Sequence, residues 1–372
     1  MKKLNLLCIL HLSPPTHGAA KVGDFIHESS LLKDTFECRF IPIRSSETIG
    51  EIGKVNVKKF WYFVELFFKV LWSLIVFRPE KIYFTASVKG FAFYRDLLLS
   101  PLWKVYSAMT KCEIFYHYHT KGVDAFVSDS TRNLQLTRFF LKGVNLILLS
   151  PLLEKDFEHV ATYKGVAFLP NGVEDLAEPK GFETLLQHKY ASIDEVQLLY
   201  LSNMIKEKGY VEVLKLADVT KGEKIHFHFA GGWQNDEDEK EFFEFINEKG
   251  LQERVTFHGF MKGDDKAFLL QNAHLLLFPT RYKAETFGLV IIEAMSFGVP
   301  TISTDEGSIP NILDEKCGIV LHDNAELYNS LQIAKQKLLN PETARYCRQR
   351  YLENFTLEKF EHNLIGILQG EK

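Results

Sequence analysis

Two glutamates, Glu285 and Glu293, enclose the segment ETFGLVIIE, whose residue types and spacing suit the binding of a charged ligand. Gly288 permits close approach of another group to the backbone, and the unpaired N–H groups of a helix that starts there suit a phosphate. The Glu285 carboxylate, in the loop before the turn, can accept hydrogen bonds from hydroxyl groups. Glu293 would lie about 7.5 Å further along the helix axis than Gly288, because five residues rise by about 1.5 Å each. The segment therefore predicts a site for a ligand that carries phosphate between two sets of hydroxyls.

A second interpretation of the same glutamates needs no ligand. Glu285 could favour the helix N-terminus electrostatically, and Glu293 could be a solvated helix residue. Glu293 has apolar neighbours in the sequence, however, and a carboxylate among them needs a partner, which favours the ligand-binding interpretation. These neighbours are Val290, Ile291, Ile292, Ala294 and Met295.

The composition indicates a globular protein of two ordinary domains, since the chain has 372 residues, 46% of them hydrophobic and 25% charged. A net charge of −4 argues against a nucleic-acid partner. The five cysteines form no C-x-x-C pair, which argues against a disulfide framework or a structural zinc and predicts a reducing, cytoplasmic setting. The start of the chain is basic and then apolar like a signal peptide, but its short apolar run is interpreted as a first buried strand.

Short apolar runs alternate with helical patterns along the chain, which is typical of parallel sheets with helical crossovers. A charged, proline-containing stretch at 174–195 separates two series of runs and predicts a linker with one short helix. We therefore expect an α/β fold with two doubly wound domains, at 1–175 and 190–354. Ligands of such sheets bind at the carboxyl ends of the strands. The predicted strands are LNLLCIL, CRFIPI, KIYFTAS, EIFYHYH, LILLS and VAFLPN in the first domain, and VQLLYLS, KIHFHFAG, RVTFHGF, HLLLFPT, PTIST and CGIVL in the second.

An aromatic segment at 58–78 lies in a basic region, because residues 52–112 hold ten lysines or arginines and three acids. Lys58, Glu65 and Lys69 fall at helical spacing and leave a narrow polar stripe on a mostly apolar helix. These charges and the minimal length argue against a transmembrane helix. Two interpretations remain: a core helix with one solvated edge, or a helix that contacts an anionic membrane surface, which would suit an acceptor held in the bilayer.

The order of these motifs resembles the retaining glycosyltransferases of family 4, which have the GT-B architecture. The E-x7-E segment from Glu285 to Glu293 is the most specific mark. The resemblance implies two Rossmann-like domains that face each other across a cleft, with a last helix, 355–372, that returns to the first domain. It also implies a nucleotide-diphosphate sugar as donor substrate and no cofactor. The supporting motifs are Lys208-Gly209, FAGG at 229–232, FHGF at 257–260 and LPNGV at 169–173.

The resemblance assigns roles in the second domain. It implies that Glu285 contacts hydroxyls of the donor sugar and that Glu293 accepts from the ribose. Lys208 matches a lysine that neutralises the departing diphosphate, which is a catalytic role. Lys208 could also be a surface lysine, although a cation at a helix start is disfavoured without an anion nearby. The backbone cradle for sugar and diphosphate would be formed by Phe287, Gly288 and Leu289.

In the first domain, the resemblance implies that Gly18 lets the first loop approach donor phosphate or acceptor, although Gly18 could simply start a helix. His119 resembles a histidine that reaches the donor sugar. His117 and His119 alternate with Tyr118 along an extended segment, so that both histidines point the same way. Either could be the functional residue or an ordinary core histidine, and metal binding is disfavoured because no third ligand accompanies them.

Two departures from the family pattern stand out. Asn203 occupies the position where an arginine is expected, and asparagine can donate hydrogen bonds to phosphate but carries no charge. Arg281 and Lys283 are candidates for a compensating cation. Asn311, in GSIPN, stands where the family often has a glutamate, which weakens the transfer of a role to that position.

The predicted mechanism is front-face displacement, because no carboxylate nucleophile is evident in the loops at the strand ends. We therefore name no nucleophile. The acidic run DEDEKE at 236–241 contains a D-x-D pattern that holds a metal in a different transferase fold. Here it opens a predicted helix, and acidic residues favour a helix start. We therefore predict no metal site and metal-independent transfer.

We expect the enzyme to transfer a sugar to a glycan or lipid-linked acceptor in polysaccharide biosynthesis, from the cytoplasm or as a peripheral protein at the inner membrane face. Two other functions stay open. One is a sugar-nucleotide epimerase of the same architecture. The other is a non-catalytic scaffold that binds nucleotide sugar, which the asparagine at Asn203 makes conceivable. A dinucleotide dehydrogenase is disfavoured, because no G-x-G-x-x-G follows the first strand.

Overall fold

The computed structural model describes residues 3–14, 18–44, 57–177, 181–191 and 193–371, with the side chains of 57–59 left out. The chain forms two compact units. One comprises Met1–Asn171 together with Leu357–Lys372, and the other comprises Gly172–Thr356. Each unit is described by itself below.

In the described residues, the strands form two six-stranded parallel sheets. Each predicted strand segment coincides with one observed strand. The first sheet has the order β2-β1-β3-β4-β5-β6 and the second β12-β11-β10-β7-β8-β9, with these bounds: β1 Leu4–Leu10, β2 Phe36–Pro42, β3 Lys81–Ala86, β4 Glu113–Tyr118, β5 Asn145–Leu148, β6 Gly165–Phe168, β7 Val196–Leu201, β8 Ile225–Ala230, β9 Val255–Phe257, β10 Leu275–Phe278, β11 Thr301–Thr304 and β12 Gly318–Leu321.

Helices connect most of the successive strands, as parallel pairing requires, and the last three helices given below follow the last strand. The helices are α1 Gly18–Glu28, α2 Ser30–Thr35, α3 Val57–Val76, α4 Gly90–Thr110, α5 Val123–Ser128, α6 Thr131–Leu141, α7 Phe182–Tyr190, α8 Tyr210–Val219, α9 Asp236–Lys249, α10 Gly263–Asn272, α11 Leu289–Ser296, α12 Ile309–Ile312, α13 Leu327–Lys337, α14 Pro341–Asn354 and α15 Leu357–Gln369, with 3₁₀ turns at Pro151–Val160, Lys206–Lys208 and Asn324–Glu326.

Most of the strands form because their residues are largely apolar and can be covered on both faces. All residues of β10, for example, are apolar and buried. Parallel sheets require such runs, since helices pack on both faces. The expected α/β fold with two doubly wound domains is therefore confirmed.

The last helix, α15, belongs to the first unit. Its apolar side chains, including Phe360 and Leu364, pack in one cluster with Leu6 and Leu10 of β1. The amphipathic pattern of α15 accounts for this packing, because its apolar residues recur at helical spacing. The polypeptide thus enters the second unit and comes back to complete the core of the first.

The second unit begins at Gly172, earlier in the chain than the bound of 190 expected from the sequence. The charged stretch before β7 contains α7, and Phe182 and Leu186 of this helix pack against Ala344 of α14. Arg348 of α14 also pairs with Asp175. These contacts tie the stretch to the second unit.

Helix α3 covers most of the aromatic segment and lies on the surface. Leu66, Val70 and Leu74 are buried, but the opposite face exposes aromatic rings such as Trp61 and Trp72. The structure therefore disagrees with a core helix that has one solvated edge. Among the described residues, no helix is long and apolar enough to cross a membrane.

Candidate functional site

The candidate site lies where the strand order of the second sheet reverses. The adjacent, parallel strands β7 and β10 lie at the middle of this sheet. From β7 the chain continues to β8 on one side, and from β10 it continues to β11 on the other side. The loops that follow them therefore separate and leave room for a ligand at the carboxyl edge. Lys208 follows β7 and Glu285 follows β10, and the Lys208 ammonium lies 3.3 Å from Oε2 of Glu285. The structure thus brings together two residues that are far apart in the sequence.

The turn between Glu285 and α11 is fixed by backbone contacts. The N–H of Gly288 donates to Oε1 of Glu285 at 2.9 Å. Gly288 has a φ of 77°, a left-handed conformation that glycine adopts without steric cost. Glu285 therefore does act on the start of the helix, as the ligand-free interpretation requires, while its second oxygen faces Lys208. A cation, a carboxylate and a helix start meet at one point.

Gly209 allows the loop after β7 to approach the loop after β10. It has a φ of 93°, and a Cβ atom there would lie 2.4 Å from the carbonyl oxygen of Pro279. The Lys208 ammonium consequently lies over the rings of Phe278 and Tyr282, 5.9 and 5.5 Å from their centroids. Aromatic faces stabilise a cation. These contacts hold the charge of Lys208 beside the turn.

A second turn braces the first. Ser308 donates its backbone N–H to the carbonyl oxygen of Thr286 at 2.8 Å. Gly307 lies so close that a Cβ atom would be 2.6 Å from the same oxygen. The backbone oxygen of Asn311, in α12, accepts from Arg350 at 3.1 Å. The segment GSIPN thus supports the Glu285 turn through its backbone.

Glu293 is buried on α11 and has an ion-pair partner that the sequence analysis missed. Lys266 of α10 places its ammonium 2.6 Å from Oε2 of Glu293. The apolar neighbours of Glu293 indicated that a partner must exist. They did not indicate which residue it is, because helix-to-helix register cannot be read from spacing along either helix.

Of the two proposed compensating cations, one is engaged elsewhere. Arg281 pairs with Asp305 at 2.7 Å and donates to the backbone oxygen of His322 at 2.6 Å. Lys283 is exposed in the loop before Glu285, and Asn203 is exposed in the loop after β7. Lys208 is therefore the cation that the structure brings to Glu285.

The acidic run at 236–241 forms the start of α9. The Asn235 side chain accepts from the N–H of Asp238 and caps the helix. Asp238 and Glu241 both pair with Lys206. Side-chain hydrogen bonds to these two acids raise the pKa of Lys206. Within the described ranges, no group of three or more histidine, cysteine or acidic side chains is arranged to hold a metal ion.

In the first unit, the two histidines lie at the end of β4 with their ring centroids 3.9 Å apart. His117 is fully buried, and its Nδ1 lies 2.6 Å from the hydroxyl of Tyr83. Burial, and then the neighbouring His119, hold the pKa of His117 well below its usual range. His119 follows the strand end and is also buried. Gly18 is exposed at the first position of α1.

Two doubly wound six-stranded sheets in one chain are the architecture of the GT-B glycosyltransferases. The solved structure of HepE from Anabaena with UDP and glucose has this fold. It superposes with a TM-score of 0.66 at 15% identity and covers 99% of this chain and 100% of that one.

Residues 184–350 match the family model described as glycosyl transferases group 1. The matched range lies within the second unit and includes Lys208, Glu285 and Glu293. An uncharacterized 41.2 kDa protein in the cps region of Klebsiella pneumoniae is 31% identical over 144 residues, 36% of each chain. The N-acetyl-alpha-D-glucosaminyl L-malate synthase of Bacillus anthracis is 26% identical over 269 residues, 68% of each chain.

The chain thus spans about a third of the length of the Klebsiella relative and about two thirds of the Bacillus one. The names of two further relatives, an alpha-D-kanosaminyltransferase of Streptomyces kanamyceticus and an O-antigen biosynthesis glycosyltransferase of Escherichia coli, agree with the family match.

Proposed function

We propose that this protein is a retaining glycosyltransferase of family 4 that moves a sugar from a nucleotide-diphosphate sugar to a glycan or lipid-linked acceptor in polysaccharide biosynthesis. The observation that carries the proposal is the meeting of Lys208, Glu285 and the start of α11 at the reversal point of the second sheet. A ligand with a diphosphate and hydroxyl groups complements a cation, a carboxylate and backbone N–H groups. The binding of UDP and glucose by HepE supports this choice of donor.

In the proposed reaction, the bond from the anomeric carbon to the diphosphate breaks, and the acceptor oxygen bonds to the same face of that carbon. The acceptor proton passes to the departing phosphate oxygen. Lys208 stabilises the charge that grows on the diphosphate, which lowers the barrier more than it strengthens donor binding. Glu285 accepts from sugar hydroxyls, and no enzyme nucleophile or metal takes part.

The remaining assignments follow the family resemblance. Glu293 would accept from the ribose, the backbone of Phe287, Gly288 and Leu289 would lie against sugar and diphosphate, and Asn203 would donate to phosphate. His119 and Gly18 are the proposed substrate contacts of the first unit. His119 is preferred to His117, because Tyr83 already holds His117 inside the sheet.

The transfer is tested by replacing Glu285 with Gln and Lys208 with Met. Each change should lower kcat by roughly 10²–10³, since each removes a group that acts on the reacting sugar or its leaving group. Glu253→Gln and Lys215→Met, at exposed positions of the second unit, are the matched controls. A thermal-shift screen with UDP, GDP, ADP and CMP sugars would first select the donor.

The outcomes separate the competing functions. If the transfer retains configuration, NMR should show the same anomeric configuration in the product as in the donor. Conversion of the donor sugar without an acceptor would indicate the epimerase, and binding without turnover would indicate the scaffold. Full activity in EDTA is expected, and loss of activity with rescue by Mn²⁺ would contradict metal independence.

We also propose that the protein contacts an anionic membrane from the cytoplasmic side. Helices α3 and α4 pack against each other, and each exposes an apolar face. We call these two faces together the α3–α4 surface. Lys89 and Lys111 are exposed at the ends of α4, and Lys69, which pairs with Glu65, is exposed on α3. Apolar rings and positive charge suit the interface of anionic lipid. The large apolar side chains that are more than half exposed are Phe60, Trp61, Phe68, Trp72 and Ile75 on α3, and Leu98, Val105 and Met109 on α4.

Flotation with vesicles tests the membrane contact. The protein should float with phosphatidylcholine vesicles that contain phosphatidylglycerol, and less so as salt is raised. Replacing Trp61, Phe68 and Trp72 with Ser should abolish flotation, whereas Val219→Ser, at an exposed apolar residue of the second unit, should not. Absence of binding by the unchanged protein would refute the contact.

A further inference from the structure

Two lysine–glutamate pairs flank the start of α11, and they share no residue. Lys208 pairs with Glu285 before the helix, and Lys266 pairs with Glu293 on its second turn. Both side chains of the second pair are largely buried, with exposures of 18% for Lys266 and 10% for Glu293. A buried ion pair of this kind needs an explanation, because the desolvation of two charges is expensive.

The local sequence does not explain why a lysine occupies this position. Lys266 lies in the first turns of α10, where the helix dipole favours acids, and Asp264 and Asp265 supply them. Lys266 nevertheless turns its ammonium to Glu293 of another helix. The contact therefore joins α10 to α11 and gives the Glu293 carboxylate a charged partner.

The chemistry of Glu293 indicates what this contact does. An ionised carboxylate only accepts hydrogen bonds, and among apolar residues its charge needs a partner. The Lys266 ammonium, 2.6 Å from Oε2, is such a partner, and its charge-assisted hydrogen bond fixes the orientation of the carboxylate. An ionised, oriented carboxylate is suited to accept from the two neighbouring hydroxyls of a ribose.

We propose that Lys266 is a positioning residue that makes Glu293 selective for ribonucleotides over deoxyribonucleotides. The inference rests on the proposed function, in which Glu293 accepts from the ribose of the donor. Lys266 acts through Glu293 and makes no contact with the reacting carbon.

Calorimetric titration with UDP and 2′-deoxy-UDP tests the proposal, with GDP and ADP pairs run in parallel. The unchanged protein should bind the ribonucleotide roughly 10-fold more tightly, as expected for one net hydrogen bond to a charged group. Lys266→Met should reduce this preference to about 2-fold or less, mainly because the variant binds the ribonucleotide more weakly. Lys266→Arg should keep most of the preference, because it keeps the charge. Lys262→Met, at the exposed residue before α10, is the matched control and should behave like the unchanged protein.

Glu293→Gln and the double variant complete the experiment. The double variant, Lys266→Met with Glu293→Gln, should be no less selective than Glu293→Gln alone, because Lys266 has no effect without its partner. If Lys266→Met fails to fold, Lys266→Gln takes its place, because glutamine removes the charge but keeps a hydrogen-bond donor beside Glu293, and it too should lose most of the preference.

Three results would count against the assignments, and they are distinguishable. If no nucleoside diphosphate binds, the proposed function fails and the inference fails with it. If the unchanged protein binds ribonucleotide and deoxyribonucleotide equally, the ribose role of Glu293 is wrong. Glu293→Gln could abolish the preference for the ribonucleotide while Lys266→Met keeps it or weakens the binding of both nucleotides by the same factor. In that case Lys266 is only a structural partner of Glu293.

Discussion

Asn203 is one of two positions at which this chain departs from the pattern of the family it resembles. Its backbone oxygen accepts from the hydroxyl of Tyr200 at 3.2 Å, and the residue is exposed after β7. Arg281 does not supply the missing charge, because it is bound to Asp305. Lys208 and the start of α11 must therefore carry most of the diphosphate charge in the proposed function.

Asn203→Arg should bind UDP more tightly, by about 3- to 10-fold, because it adds a cation beside the proposed diphosphate. The dissociation constant from calorimetry measures the effect, which should weaken at high salt. Gln271→Arg, at an exposed position on α10 of the same unit, adds the same charge and should leave the affinity unchanged. Equal gains in both variants would show a general charge effect instead.

Gly209 is the residue that sets the approach of the two loops. Gly209→Ala should lower the free energy of unfolding by about 2–4 kcal/mol, since its Cβ would overlap Pro279 and its φ disfavours a side chain. Transfer should fall as well, because Lys208 is the next residue. Chemical denaturation measures the loss. Gly222→Ala has open space around its Cβ and is the control; a similar loss there would refute the steric explanation.

At the scale of elements, the strands and the Glu285–Glu293 helix could be predicted because each is a local pattern. The apolar run of β10 and the glycine before α11 need no knowledge of distant residues. The Lys266–Glu293 pair and the exposed side of α4 could not be predicted in this way. Helix α4 is apolar on both sides, with Trp103 buried and Leu98 exposed, so its pattern does not distinguish core from surface.

The last turn of helix α7 carries a lysine, Lys189, whose charge is poorly solvated. Lys189 donates to the backbone oxygen of Ala273 at 2.9 Å, and burial lowers its pKa to about 7. In the unfolded chain its pKa returns to about 10.4. Between these values the unfolded state binds more protons, so this residue makes stability rise with pH.

Lys189→Met should therefore stabilise the protein by about 1–3 kcal/mol at pH 7, because no ammonium has to be desolvated. The gain should shrink as pH rises from 7 and should vanish above about 10.4, where the lysine is neutral in both states. Thermal unfolding of both proteins at several pH values measures how the stability gain depends on pH. Lys215→Met, at an exposed position of α8, should show neither the gain nor its pH dependence. A gain that stays constant with pH would contradict the assigned cause.

At the scale of the whole molecule, the hydrophobic core of the first unit contains residues that precede the second unit in the sequence and residues that follow it. Phe360 of α15 is buried in the same cluster as Leu6 and Cys8 of β1. Phe360→Ala should destabilise the first unit by about 3–5 kcal/mol, because it leaves a cavity.

Hydrogen exchange locates the effect of Phe360→Ala. Amides of β1 should exchange faster, whereas those of β7 should change much less. Leu331→Ala, in the core of the second unit, should give the opposite distribution. Equal acceleration in both sheets would mean that the two units unfold as one.

The return of α15 also sets an order of events during synthesis on the ribosome. Every residue of Gly172–Thr356 is translated before Leu357 is reached. Throughout that time the nascent first sheet lacks the helix that covers part of its apolar face, whereas the second unit has all of its strands as soon as β12 is made. The first unit therefore starts to be made before the second unit and is completed after it, so that its apolar core stays incomplete while the second unit is synthesised.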